Sequence, residues 1–197
     1  RRHGFDHGQK VGLAENGYGL GVELQTPVLT EGISWLLSAR FIMNPTDPSE
    51  AEDAFNALNG DTMNVVYQTG EWYHFPIMTG LRYKIDVMDD IALTVMAQGG
   101  LNLIQAASRE GSRNGIKGEE TSFDIQRAFG FEFGLGLDFF KKFNFQVSYM
   151  NFGTPRFEGD RYLSELVFPD IIQRNNAILG EEHSVEMVLV SIGYYLF

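Results

Sequence analysis

The stretch Ile125–Phe139, IQRAFGFEFGLGLDF, decides the fold. Its odd positions are Ile125, Phe129, Phe131, Phe133, Leu135, Leu137 and Phe139, interrupted only by Arg127. Its even positions are Gln126, Ala128, Gly130, Glu132, Gly134, Gly136 and Asp138. Successive side chains of a strand point to opposite faces, so one face is a wall of large apolar groups and the other is tiny or charged. A soluble, half-buried strand would carry solvated Lys, Thr and Ser opposite its apolar face, not glycines. Glycine weakens an ordinary strand, so Gly130, Gly134 and Gly136 on one face imply that something bulky crowds it. The pattern predicts a small transmembrane β-barrel, with apolar residues toward lipid and a narrow, packed polar interior.

The same large-against-small alternation recurs outward from this stretch. Tyr18, Leu20, Val22 and Leu24 oppose Gly19, Gly21, Glu23 and Gln25; Trp35, Leu37, Ala39 and Phe41 oppose Leu36, Ser38, Arg40 and Ile42. Glu71–Asp86 sets Tyr73, Phe75, Ile77, Leu81, Tyr83 and Ile85 against His74, Met78, Gly80, Arg82 and Lys84, with Pro76 predicting a bulge or a missing ladder bond. Strands are also predicted at Ile91–Leu103, Phe143–Tyr149 and Ser184–Phe197. Residues 1–13, with Phe5, Val11 and Leu13 on odd positions, are read as the first strand, which gives an even count of eight. Short connections (Leu29–Gly32, Val87–Asp90, Phe140–Lys142) alternate with long ones (Pro45–Gly70, Gln105–Asp124, Thr154–His183), Ala14–Gly17 being a short exception. Bacterial outer-membrane barrels have short periplasmic turns and longer outside loops. Asp47-Pro48-Ser49-Glu50 is a helix-start pattern, predicting a short helix over about 48–58, and further short helices are expected near Arg161–Val167 and after Pro169.

The chain has 197 residues, 22 glycines and no cysteine, consistent with one all-β domain over 1–197 that uses neither disulfides nor thiolate chemistry. The net charge of −11 argues against nucleic acid as a partner. No run approaches the roughly 18 apolar residues of a membrane helix, and a barrel's alternation keeps mean hydropathy near that of a soluble protein. No secretory leader is read at Arg1, which is expected to be a mature or trimmed terminus. The three long loops hold fifteen Asp/Glu against six Lys/Arg, so most of the net charge belongs to the loop side. That acidity reads either as solvation of a surface face or as attraction for cations or a basic partner.

The segment Tyr73-His74-Phe75-Pro76-Ile77-Met78-Thr79-Gly80-Leu81-Arg82-Tyr83 resembles a strand of the outer-membrane β-barrel domain family of Bacteroidota, often labelled porin-family or PorT-like, of OmpA/OmpX-like architecture. Phe129–Tyr149 and the terminal Gly193-Tyr194-Tyr195-Leu196-Phe197 are similar to its later strands. The resemblance covers roughly residues 17–197. It implies an eight-stranded barrel in the outer membrane of a Gram-negative bacterium. It also implies insertion by the outer-membrane assembly machinery, with Tyr195 and Phe197 as the recognition signal. The helix-bearing loop after Asn44 and the long last loop depart from the family pattern. The family shares no catalytic residues, so none is carried over.

Parity places Glu23, Arg40, Arg82, Lys84, Glu132 and Asp138 in the interior. Eight strands leave room for side chains but no wide channel, and unpaired charges there are costly. Glu23 and Glu132 are therefore expected to pair with Arg40 and Arg82 near mid-height. The network reads as a plug, with a gated ion path as the competing reading. His74 and His183 fall near the outer rim, with Ser184, Glu71, Glu181 and Glu182 close in sequence, but the spacing matches no barrel-enzyme motif and the bland reading is rim histidines facing water. His3 and His7 lie on a predicted strand, so their four-residue spacing does not make a helical metal pair. No catalytic residue, cofactor or metal is assigned. Trp35, Tyr83 and Phe143 near the turn ends and Tyr73, Phe75 and Tyr149 near the loop ends fit two interfacial girdles, and Trp72 points inward at the rim. The expected function is a non-enzymatic membrane subunit that contacts outer-membrane lipid and presents its loops to an envelope partner or ligand; the alternatives are a small pore and a soluble lipocalin-like barrel.

Overall fold

The computed structural model describes residues 16–28, 31–49, 65–113, 116–163 and 184–196. These residues are all-β: β1 (Tyr18–Pro27), β2 (Ile33–Pro45), β3 (Val65–Thr69), β4 (Glu71–Met88), β5 (Ile91–Gln105), β6 (Arg109–Arg113), β7 (Ile116–Phe123), β8 (Gln126–Phe139), β9 (Phe143–Asn151), β10 (Gly159–Leu163) and β11 (Glu186–Tyr194). Seven of them form one antiparallel sheet in the order β1-β2-β4-β5-β8-β9-β11, curled into a half-barrel. The short connections β1–β2, β4–β5 and β8–β9 lie at one end, called here the turn side; the other end is the loop side.

The two faces of this sheet invert the usual rule for soluble proteins, in which apolar groups go inside. On the convex face Phe129 is 79% exposed and Phe133 56%, and Phe75, Ile77, Leu81, Val95, Leu101 and Leu135 are exposed beside them. The concave face buries Ser38, Arg82, Gln98, Asn102, Glu132, Asp138 and Gln146. The glycines of β8 make room on that concave face: a Cβ at Gly130 would meet the Asn102 amide and the backbone of Asn151 and Phe152, one at Gly134 would meet Met96, and one at Gly136 would meet Thr94 and Asn144. Small residues on β8 are thus the condition for large ones on its neighbours.

Several expectations change. Gln105–Asp124, expected to be a loop, contains the β6–β7 hairpin, and the other two long loops contain β3 and β10. These four strands form a second sheet, β10-β7-β6-β3, that repeats the order β9-β8-β5-β4 because each short strand continues a long one across a brief break. Glycine and charge on both faces erased the period-two signal on which a strand is recognised. Residues 161–163, expected to be helical, belong to β10. Asp47 does accept a hydrogen bond from the Ser49 N–H at 2.8 Å, the start of a cap, but residues 50–58 lie outside the described residues, as do 164–183 and residues 1–13. Pro76 takes the second of its two expected forms, an interrupted ladder and not a bulge: the β2–β4 ladder skips the pairs at Phe75 and Pro76 and resumes in the same register, while the β4–β5 register runs through Pro76↔Asn102. The shift in β4 lies instead between Asp86 and Met88.

The interior is not uniformly polar, which corrects the expectation of a polar filling. Toward the loop side Ile42, Met78, Ile104, Met150, Phe152 and Phe157 form one buried apolar cluster, with Trp72, Phe123 and Met187 packed against it. The charged pairs occupy mid-height and the turn side, while the Asn102 amide and the His74 ring meet Phe152 within the loop-side cluster.

Candidate functional site

The polar interior is built in two tiers. At mid-height the Arg40 guanidinium (β2) reaches across to Glu132 (β8), Nη1 to Oε2 at 2.7 Å. Glu132 is 0% exposed, and the same Oε2 lies 3.5 Å from Gln98 Nε2, whose Oε1 accepts from Ser38 Oγ at 2.9 Å. Glu132 Oε1 has no hydrogen-bond partner among the described residues.

Nearer the turn side, Arg82 (β4) is the hub. Its Nη1 lies 2.7 Å from Glu23 Oε1 on β1 and donates to Gln25 Oε1 at 3.3 Å and Tyr195 OH at 3.2 Å, while Nη2 donates to Gln146 Oε1 on β9 at 3.1 Å. The Tyr195 hydroxyl donates in turn to Asp138 Oδ1 at 3.0 Å, and Asn144 Nδ2 donates to the same oxygen at 2.7 Å. Lys84 Nζ stands 3.8 Å from Asp138 Oδ2 and 3.8 Å from Asp86. One planar, multi-donor guanidinium thus ties both edge regions of the curled sheet to its middle, a task a lysine's single ammonium could not perform.

All six charges named from parity meet here, Glu23 with Arg82, Glu132 with Arg40 and Asp138 with Lys84. Tyr195 is on the concave side, inside this network; the aromatic of the terminal strand on the convex side is Tyr194, edge-on to Phe143 at 5.3 Å. Phe197 lies outside the described residues. Sequence reasoning passed over Gln25, Gln98, Asn144 and Gln146, which satisfy the charges. The signal for them was their parity on predicted strands, odd for Gln25 as for Glu23 on β1, and even for Gln98, Asn144 and Gln146 as for the other charged residues.

The loop-side mouth is stoppered rather than open. His74, expected to face water at the rim, is 2% exposed, its ring 4.6 Å from that of Phe152 and 6.1 Å from that of Trp72. The physical reason is the segment after β9. Gly153 takes a positive φ of 90°, which turns the chain, and Phe152 and Phe157 cover the interior, with Trp72 edge-on to Phe157 at 5.4 Å. Asn102 Nδ2 donates to the Phe152 carbonyl at 3.1 Å, and the Phe152 N–H donates to the Val185 carbonyl at 2.7 Å. Trp72 therefore both covers the interior and meets a loop. His183 lies outside the described residues; Ser184 Oγ donates to Glu186 Oε1 at 2.9 Å.

Beyond the stopper the second sheet carries Lys117 between Glu110 (3.0 Å) and Glu120 (3.1 Å). Its hydrogen bonds to these carboxylates, Glu110 first, hold the exposed Lys117 ammonium above its ordinary range. Val66, Ile116 and Tyr162 are exposed on the same sheet. On the convex face Trp35, Tyr83, Phe143 and Tyr194 are exposed toward the turn side and Phe75, Phe131 and Tyr149 toward the loop side. Searches against protein-family models, curated proteins and solved structures find no match to this chain.

Proposed function

We propose that the chain is an integral outer-membrane β-barrel, a structural or binding subunit that presents its loop-side sheet to an envelope partner or ligand, with its interior plugged by side chains. One observation carries the reading: the convex face exposes Phe, Leu, Ile and Val along whole strands while Glu132, Arg82 and Asp138 are buried on the concave face. Exposed apolar surface on that scale needs a nonaqueous neighbour, and lipid is the neighbour that accepts a continuous belt edged with aromatics. The proposal includes closure by residues 1–13 as an eighth strand, delivery by the outer-membrane assembly machinery, and acidic loops facing outward.

Fractionation of the native host tests it. The protein is expected in the outer-membrane fraction, extracted only by detergent; recovery as a detergent-free soluble monomer would overturn the reading. Planar-bilayer recordings separate the subunit from a small pore, because the stoppered interior is expected to pass no steady current. Mild-detergent purification then identifies what accompanies the chain.

A further inference from the structure

Arg127 interrupts the apolar wall of β8 and is exposed with it. Among the described residues of the seven strands in the first sheet, it is the only cation on the convex face. The acids of that face are engaged: Glu71 accepts from the Tyr73 hydroxyl at 2.8 Å, and Glu186 from Ser184 at 2.9 Å and Asn151 at 3.1 Å. Arg127 makes no hydrogen bond or ion pair among the described residues.

Strand geometry gives its height. The apolar run Phe129–Phe139 covers ten residue steps, about 33 Å along the strand and about 25 Å of height at a tilt of about 40°, which matches the apolar band of an outer-membrane barrel. Arg127, two residues further on, stands about 5 Å beyond that band, at the level of lipid headgroups.

A second cation reaches the same place through the turn at Gly153. Up to Phe152 the even-numbered residues are buried; past Gly153, with its φ of 90°, Pro155 and Phe157 are buried while Thr154, Arg156 and Glu158 are exposed. The reversal that sends Phe157 into the stopper therefore sends Arg156 out. This segment pairs with β8 at Phe131↔Asn151 and meets it again where the Asp124 N–H donates to the Glu158 carbonyl at 2.9 Å, seven residue steps along each chain. Equal lengths bring Arg156 level with Gln126 and beside Arg127. Arg156 Nε lies 3.9 Å from Glu158 Oε1, an ion pair without a hydrogen bond. The turn also bares Phe129, because Gly153, level with it, has no side chain to lay against it. Phe129 is 79% exposed, whereas Phe131, whose ring meets Phe133 at 5.4 Å and Tyr149 at 6.2 Å, is 41% exposed.

We propose that Arg127 and Arg156 bind the phosphate of a lipid in the loop-side leaflet, with an acyl chain of that lipid lying on Phe129. The proposal rests on the membrane reading above and adds to it a lipid-specific site. Two planar guanidiniums suit the oxygens of a phosphate ester. The approach selects a lipid over free phosphate. From the loop side an anion must pass the exposed Asp124 and Glu158 carboxylates, whereas a lipid headgroup arrives from the belt, along Phe129.

Native mass spectrometry of the full-length protein in a phosphate-free nonionic detergent counts bound lipid. One dioleoyl phosphatidate is expected to bind about tenfold more tightly than dioleoylglycerol, the same chains without phosphate, a difference the size of one charge-assisted hydrogen bond. Arg127→Gln with Arg156→Gln is expected to abolish that preference, and Phe129→Ala to weaken phosphatidate binding. All three side chains are exposed, so the variants are expected to keep the parent's resistance to heat in detergent. No preference in the parent, or a preference that survives the double change, would overturn the proposal; unchanged binding in Phe129→Ala would overturn the placement of the chain. Displacement of phosphatidate by equimolar inorganic phosphate would also overturn it, since the site would then take an anion without a lipid. Fractionation separates the site from the reading beneath it: a detergent-free soluble monomer that still prefers phosphatidate keeps the site and removes the membrane, and a detergent-extracted protein without the preference does the reverse.

Discussion

The Arg40–Glu132 pair offers the sharpest test of the interior. At 2.7 Å, two unit charges in an effective dielectric of 20 attract by about 6 kcal/mol. Burying them costs several kcal/mol for each ion, so the pair nearly breaks even, whereas removing one partner strands the other and costs roughly 3–5 kcal/mol. The structure ranks the two single changes. Arg40→Met leaves a carboxylate on a residue with no solvent exposure, already short of a partner at Oε1, and is expected at the top of that range. Glu132→Met leaves a guanidinium whose side chain is 14% exposed and can lean toward water, and is expected at the bottom. The double change to methionine should fall within about 1–2 kcal/mol of the parent. Urea unfolding of the detergent-folded protein, followed by Trp35 and Trp72 fluorescence, measures all four. A double variant that loses the sum of the singles would refute a coupled pair, and equal losses in the singles would refute the ranking.

Arg82→Met should lower the melting temperature, because Glu23, Gln146 and Tyr195 lose a common donor, while planar-bilayer recordings show no new conductance; a large steady current would favour the gated path instead. Gly130→Ala should cost about 1–3 kcal/mol, since its methyl would press on Asn102 and on the Asn151 and Phe152 backbone, whereas Gly99→Ala on the convex face, whose methyl meets only the Gly130 carbonyl oxygen at 3.6 Å, should change little in the same assay. Phe152→Ala should cost about 3–5 kcal/mol by emptying a fully buried site stacked on His74, and quenching of Trp72 fluorescence by aqueous iodide should rise with it.

What could be read from the sequence was whatever the two faces of a strand express in unlike residues. Phe129, Phe131 and Phe133 against Gly130, Glu132 and Gly134 fix which way β8 faces, and the same contrast located β1, β2, β4, β5, β9 and β11. It also named the six interior charges, since a charge on a glycine-lined face has nowhere else to go. β6 and β7 escaped because Arg109–Phe123 carries glycines and charges on both parities, and strand pairing there is a property of the β5 and β8 ends that feed it. His74 was misplaced for a related reason. Parity put it on the inner face near the rim, but only Gly153, a single residue distant in sequence, turns Phe152 back over it. Coverage by a later loop leaves no periodic trace. Tyr195 and Tyr194 show the same limit at the terminus: adjacent identical residues take opposite faces, and only the β11–β9 register, Tyr194 opposite Phe143, says which is which.

The division of the interior bears on what the protein can do. A conducting path would have to cross both tiers of ion pairs and then the apolar stopper, and these resist for different reasons. The ionic tiers hold polar groups that an ion could exchange with, each exchange resembling the rearrangement of a hydrogen-bonded network. The stopper is chiefly apolar, with the His74 ring and the Asn102 amide against Phe152: withdrawing Phe152 breaks its bonds to Asn102 and Val185 and exposes Ile42, Ile104 and Met150 to water. Its loss would also disturb the second sheet, because Phe157 leads directly into β10 and Trp72 follows directly from β3. The same continuity ties the second sheet to the first, since β3, β6, β7 and β10 stand on strands braced from within by the apolar cluster. Side chains that close the interior therefore also brace the loop-side sheet, which is the physical ground for proposing a surface that binds rather than a passage that opens.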